Sequence, residues 1–250
     1  MTEGGLRLKN IQDDPGEVRP RVTVITVTYN AGKFLQACID SVTSQAFQNI
    51  EHIIFDGGST DDTLEILQAN QQLAYWRSEP DKGIYDAMNK AIKRAKGDWL
   101  LFLGADDTLL PGFSELSGLL IDHNCVYYGE SQWLHMIHGG SFNHYRLAKF
   151  NICHQNIFYP KSVFDHYKYN EEYKVSADYH LNILLFTDSR FRFEFHPILV
   201  SIYAAGGFSS QHIDLSFNKD RDQIVKENFG RLIYFRYKLR QFRHFIKGKK

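Results

Sequence analysis

Residues 50–63 read IEHIIFDGGSTDDT, residues 78–97 read SEPDKGIYDAMNKAIKRAKG, and residues 98–107 read DWLLFLGADD. Two short apolar runs stop abruptly at carboxylates, one at Asp56 and one at Asp106 and Asp107. Between them Glu79, Asp81 and Asp86 cluster on a glycine-bearing loop and the start of a helical pattern. A strand that delivers an acid at its carboxyl end, followed by a helix, is how open α/β sheets build ligand crevices. These deliveries predict one carboxylate-lined crevice, suited to a divalent cation and to the hydroxyls of a ribose or sugar.

Upstream, RVTVITVT at 21–28 is a dense β-branched run and predicts a buried strand. Asn30 is placed to cap the helix that Phe34, Leu35, Cys38, Ile39 and Val42 mark by their spacing. Ser59 or Thr60 is placed to cap the next helix, and Gly57 and Gly58 let backbone approach a ligand closely. Ile84, Ala87, Met88, Ala91, Ile92 and Ala95 mark an amphipathic helix stopped by Gly97. The order through residue 107 is βαβαβαβ with short connections, which predicts a largely parallel sheet flanked by helices. Further on, the pattern predicts strands at 125–128, 132–137, 191–195 and 198–203, a strand or loop at 154–159, and a helix at 177–186. Gly206 to Ser210 reads as a flexible loop.

Residues 1–20 are polar and predict a flexible tail. The expected organisation is then an α/β domain over 21–212 and a basic helical region over 213–250. Within the domain, 21–107 form a nucleotide side and 108–212 an acceptor side. The 250 residues, 43% of them apolar, suffice for a sizeable core. Lys plus Arg and Asp plus Glu both number 29, so total charge points to no partner. Three widely spaced cysteines argue against a disulfide framework or zinc site and for a reducing compartment. The N-terminus lacks a signal-peptide pattern, and no apolar run is long enough to cross a bilayer. The expected location is cytoplasmic.

Four segments in this order and spacing resemble family 2 glycosyltransferases of the GT-A fold: TVITVTYNAGKFL (23–35), IEHIIFDGGSTDDT, SEPDKGIYDAMNKAI and GDWLLFLGADD. The likeness is to bacterial enzymes that build surface polysaccharide. It implies inverting transfer of a sugar from a nucleotide diphosphate donor, UDP favoured, with Mn²⁺ or Mg²⁺. Carried over by position, Thr28 and Tyr29 would border the base. Asp56 would hydrogen-bond it, with Gly57, Gly58 and Ser59 leaving room. Asp81, Gly83 and Asp86 would lie along the nucleotide or donor sugar, with Lys90 a further donor contact. Asp106 and Asp107 match the metal and ribose motif, but Gly104 stands where many members carry the first acid of Asp-x-Asp. Asp178 in SADY (176–179) matches the segment bearing the catalytic base, and His154 and Gln155 match a segment near the diphosphate or acceptor. The implied acceptor is a saccharide, lipid-linked in such pathways.

The chemistry is consistent with those roles. A departing nucleotide diphosphate needs its charge neutralised, and hard carboxylate oxygens suit the ion that does so. Inverting attack needs a base for the acceptor hydroxyl, which a carboxylate at a helix start supplies. Plainer uses compete at each position: Asp56 as a turn residue, Asp86 as a helix-start charge, Asp178 as an N-cap, His154 as a core histidine. Glu171 and Glu172 are the substitute bases. A dinucleotide site is disfavoured because no G-x-G-x-x-G follows the first strand. Rival readings are a non-catalytic nucleotide- or sugar-binding protein and a nucleotidyltransferase.

Residues 231–250 carry eight Lys or Arg and no acid. Leu232, Phe235, Leu239, Phe242 and Ile246 recur at steps of three and four. This predicts a basic amphipathic helix suited to an anionic membrane surface. The competing uses are packing on the catalytic domain or in a homodimer. Nucleic acid is not an expected partner.

Overall fold

The computed structural model describes residues 1–9, 21–204 and 206–247. The N-terminal segment departs from the expected tail. Strand β1 (Thr2–Gly4) pairs antiparallel with a later strand, and a short helix α1 (Leu6–Lys9) follows. Gly4 is required there, because a Cβ would sit 2.5 Å from the Trp76 ring. The rest of the expected tail, 10–20, lies outside the described residues.

The half that bears the acidic stretch follows the predicted order. Strands β2 (Val22–Thr28), β3 (Ile50–Asp56), β4 (Tyr75–Ser78) and β5 (Trp99–Gly104) are parallel. Helices α2 (Gly32–Thr43), α3 (Thr63–Ala69) and α4 (Ile84–Ile92) connect them. Side chains alternate between the two faces of the sheet. Val22, Val24, Leu101 and Leu103 join Phe113 and Leu116 of α5 (Gly112–Gly118) on one face. Ile25, Ile53, Phe55, Leu100 and Phe102 meet Tyr85, Met88 and Ala91 of α4 on the other.

The two predicted caps take other partners. Asn30 adopts a left-handed backbone (φ 51°), and its Oδ1 accepts from the Thr60 amide at 2.9 Å. Ser59 Oγ accepts from the Asn30 amide at 2.7 Å. The amides of Ala31 and Gly32 are satisfied by Thr63 Oγ1 and Asp61 Oδ2, both at 3.0 Å. The polar side chains thus staple the loops after β2 and β3 together, instead of each capping its own helix.

The second half extends the same sheet. Strands β6 (Thr108–Leu109), β7 (Cys125–Trp133), β8 (Met136–His138), β9 (Ile157–Pro160) and β10 (Arg192–Tyr203) complete it, in the order β1-β4-β3-β2-β5-β9-β7-β10-β6 with β8 beside β7. β9 runs antiparallel to both β5 and β7, so β7 and β10 point the same way as β5. The two strands expected at 191–203 are one strand. Its pairing with β7 slips between Phe195 and Leu199, around Pro197, which has no amide hydrogen to give. Helices α6 (His144–Leu147) and α7 (Ala177–Thr187) cover one face. Phe208–Gln211, in the stretch expected as a loop, forms a short helix α8.

The C-terminal helix α9 (Leu215–Lys247) is longer than the basic stretch, with a non-helical residue at Gly230. Its first part is no appendage: Phe217, Ile224, Val225 and Phe229 are buried in the main core with α7. No helix of the described residues is long and apolar enough to cross a membrane. Cys38, Cys125 and Cys153 are free.

Candidate active site

Parallel strands end on one edge, and that edge collects the acidic residues. β2 ends at Thr28, β3 at Asp56, β4 at Ser78 and β5 at Gly104. Asp56 is 2% exposed. Its Oδ2 accepts from the Ser78 hydroxyl at 2.6 Å and from the amides of Ser59 and Gly58 at 3.0 and 3.2 Å, and its Oδ1 accepts from the Ser59 hydroxyl. The turn use of Asp56 is therefore real, and Oδ1 is the oxygen with the smaller load. The Thr28 hydroxyl beside it is buried without a hydrogen-bond partner among the described residues.

Gly57 forms a gap between Asp81 and Tyr29. A Cβ there would lie 2.6 Å from Asp81 Oδ2 and 3.4 Å from the Tyr29 ring. Tyr29 is 65% exposed, so its ring offers a free face. Asp81 Oδ1 accepts from the Gly83 amide at 2.7 Å, and Gly83 has φ 121°, a conformation that favours glycine. Gly83 also precedes the first turn of α4, where Asp86 Oδ2 accepts from the Lys82 amide at 2.9 Å.

Lys90 does not reach this edge freely. Its Nζ pairs with Asp86 at 2.9 Å and Glu79 at 3.4 Å, and donates to the Pro80 carbonyl. Asp86 and Lys90 thus fasten the loop to α4.

The motif at the end of β5 divides its labour. Asp107 is 4% exposed. Its Oδ2 accepts from Gln155 Nε2 at 2.7 Å and from the Gly104 amide at 3.2 Å, and its Oδ1 accepts from the Ala204 amide at 2.9 Å. Burial pushes its pKa up despite these donors, and the charge of Asp106 adds to the push. Asp106 is only partly buried. Gly104 explains the departure from Asp-x-Asp: a Cβ there would collide with the Asp107 carboxylate and come within 3.1 Å of Asp106. The Asp107 side chain fills the space that a first acid would need.

Among the described residues, no group of three or more His, Cys, Asp or Glu is arranged to hold a metal ion. The donor set is two adjacent like-charged carboxylates, one partly exposed. That fits a hard divalent ion whose remaining ligands are phosphate oxygens and water.

Asp178 is 7% exposed, in the first turn of α7. It accepts from the Tyr85 hydroxyl at 2.9 Å and from Asn151 Nδ2 at 2.7 Å, with His154 Nδ1 at 3.4 Å. Asn151 Oδ1 in turn accepts from Asn182, and Asn182 Oδ1 accepts from the Tyr159 hydroxyl. Burial and Asp178 together hold the Tyr85 phenol far above its usual pKa, so it stays a donor. His154 and Gln155 share one 3-10 turn: Gln155 binds Asp107, and His154 faces Asp178. Glu171 is bonded instead to Asn89 and Glu172 is exposed, so neither stands with this cluster. Tyr85, Asn151, Asn182 and the Ala204 amide carry no sequence signal of their own. They are found only once the fold brings their elements together.

The sequence model of glycosyl transferase family 2 matches residues 23–147. A PGL/p-HBAD biosynthesis glycosyltransferase of Mycobacterium bovis is 36% identical over 214 residues, 80% of this chain and 83% of the relative. The chain belongs to glycosyl transferase family 2. Two solved structures share the fold of this glycosyltransferase at low identity. Staphylococcus aureus TarS 1–349 in complex with UDP-GlcNAc aligns with TM-score 0.66 and 17% identity, over 84% of this chain and 71% of that one. The chain spans only 43% of the longer TarS chain. The mannosyltransferase PcManGT of Pyrobaculum calidifontis, in complex with GDP-Man and Mn²⁺, aligns with TM-score 0.61 and 16% identity, over 85% of this chain and 64% of that one. The architecture is the GT-A fold expected from the sequence.

Proposed function

We propose that this glycosyltransferase moves a sugar, with inversion, from a nucleoside diphosphate donor to a saccharide hydroxyl in bacterial surface polysaccharide or glycolipid synthesis. UDP is the favoured nucleotide and a lipid-linked saccharide the favoured acceptor, with catalysis at the cytoplasmic face of the membrane. The observation that carries this reading is the His154–Gln155 turn, from which Gln155 bonds to the buried Asp107 and His154 faces the buried Asp178. The structural neighbours, one in complex with UDP-GlcNAc and one with GDP-Man and Mn²⁺, support a nucleotide-sugar donor and a divalent ion.

In this account the base lies over Gly57 between Tyr29 and Asp81, with Thr28 and Asp56 Oδ1 at its edge. Asp106 and Asp107 would hold Mn²⁺ or Mg²⁺, with Asp107 also fixing the strand end through the Gly104 amide. The ion, when bound, neutralises charge on the departing diphosphate. Asp178 accepts the proton of the acceptor hydroxyl as that oxygen bonds to the anomeric carbon. The bond from that carbon to the diphosphate breaks on the opposite face, and the nucleoside diphosphate leaves. Tyr85, Asn151 and His154 hold the Asp178 carboxylate in place, which limits reorganisation during the step.

Thermal stabilisation by UDP, GDP and dTDP, each with Mn²⁺ and with EDTA, tests the donor half. A ligand that binds only the folded state raises the midpoint according to its concentration over Kd. One diphosphate should stabilise only with metal, and Asp106→Asn should abolish that shift. No shift with any of the three would overturn the reading.

A further inference from the structure

The helix α9 behaves differently on the two sides of Gly230. Before that residue it is built into the core. Beyond it, Tyr237 is buried, and Ile233 and Tyr234 pack partly against the same core. Arg236 lies over the Tyr145 ring at 4.4 Å and Arg240 over the Phe150 ring at 5.4 Å. One side of the distal helix therefore faces the domain.

Leu232, Phe235, Leu239, Phe242 and Ile246 lie on the other side. With about 3.6 residues per turn, their steps of three and four align them in one stripe, opposite Tyr237. They are 72%, 65%, 39%, 59% and 49% exposed. The stripe is thus not used for packing on the catalytic domain, which was one of the uses open from the sequence. Arg231 and Arg243, both exposed, edge it on its two sides. No acid occurs anywhere in 231–250. Two copies joined through this stripe would bring arginine edges together with no carboxylate of 231–250 to offset them. A surface that is apolar within and anionic at its boundary offsets both features.

We propose that the distal half of α9 lies flat in the headgroup region of an anionic lipid bilayer, with the stripe inserted and Arg231 and Arg243 at the phosphates. Such a helix gains from buried apolar area and from attraction between its cations and the lipid charge.

The test is co-sedimentation of the full chain with vesicles of phosphatidylcholine alone or mixed with phosphatidylglycerol. No nucleotide or sugar is needed, so failure here is distinct from failure of the donor reading. Binding is expected only with phosphatidylglycerol and should weaken as salt rises. Phe235→Glu with Phe242→Glu should reduce it about tenfold or more without moving the thermal midpoint, since both side chains face solvent. Arg231→Gln with Arg243→Gln, which leaves the stripe intact, should also weaken it. Unchanged binding by both double variants, or equal binding to pure phosphatidylcholine, would overturn the proposal. So would a dimer in solution that the Phe variants dissociate, since the stripe would then belong to a second copy.

Discussion

His154 Nδ1 lies 3.4 Å from Asp178 Oδ2, in a site where the imidazole is about a quarter exposed. Burial alone would lower the pKa of this histidine. The hydrogen bond and charge of Asp178, with Asp107 and Asp106 beyond, outweigh burial and raise it above 6.5. A raised folded-state pKa contributes stability that is fully present below the unfolded value and is lost as pH rises through the folded one. The stability advantage of wild type over His154→Asn should therefore shrink as pH rises from below the ordinary imidazole range to above it. Thermal midpoints of both proteins across that range would check it. A constant difference would show that the imidazolium pairing contributes nothing.

Gln155 gives a second prediction. Its amide holds Asp107 Oδ2 at 2.7 Å, and a hydrogen bond to a charged group contributes about 1.5–3 kcal/mol. Gln155→Ala should leave the fold intact but weaken metal-dependent nucleoside diphosphate binding by about tenfold or more. Titration calorimetry with Mn²⁺ present measures this directly.

Restoring the missing acid should do harm. Gly104→Asp rebuilds Asp-x-Asp in sequence, yet its Cβ would collide with the Asp107 carboxylate. The expected result is a lower thermal midpoint and a smaller metal-dependent shift with nucleotide. An improved shift would mean that Asp107 moves aside freely when the site fills.

Lys90 separates a donor contact from a structural one. Its Nζ is engaged by Asp86 and Glu79, side chains at 14% and 20% exposure, with Lys90 itself at 31%. Partly exposed pairs contribute about 0–1 kcal/mol each. Lys90→Met should lower stability by about 2 kcal/mol at most and leave donor KM nearly unchanged. A large rise in KM would return Lys90 to the donor site.

The sequence was most legible where one local pattern dictated one local outcome. The β-branched run before Thr28 and the apolar run before Asp106 had to be buried parallel strands, because helices alternate with them. The edge that gathers Asp56 and Asp107 followed from that order alone. Helix starts were less legible: Asn30, Ser59 and Thr60 are good capping residues, but the nearer benefit was to bond one another across two loops. The strands expected at 191–195 and 198–203 are one, because the long β10 passes through Pro197 with a slip in register. Asp178 was singled out by the resemblance of its segment. Its supports were not, because Tyr85, Asn151 and Asn182 come from three segments that only tertiary packing unites. The exposure of the distal α9 stripe was likewise undecidable from spacing, which is the same for a packed helix and an uncovered one.

The most direct test of the central claim is product release from UDP-, GDP- and dTDP-sugars by wild type and Asp178→Asn, with Mn²⁺ present. Wild type should release a nucleoside diphosphate from one donor class, with water standing in for the acceptor. Asp178→Asn should lower that rate about 100-fold or more while keeping the nucleotide-induced thermal shift, since general base catalysis is lost and donor binding is not. Release of pyrophosphate by wild type, or an undiminished rate in the Asp178→Asn protein, would contradict the account.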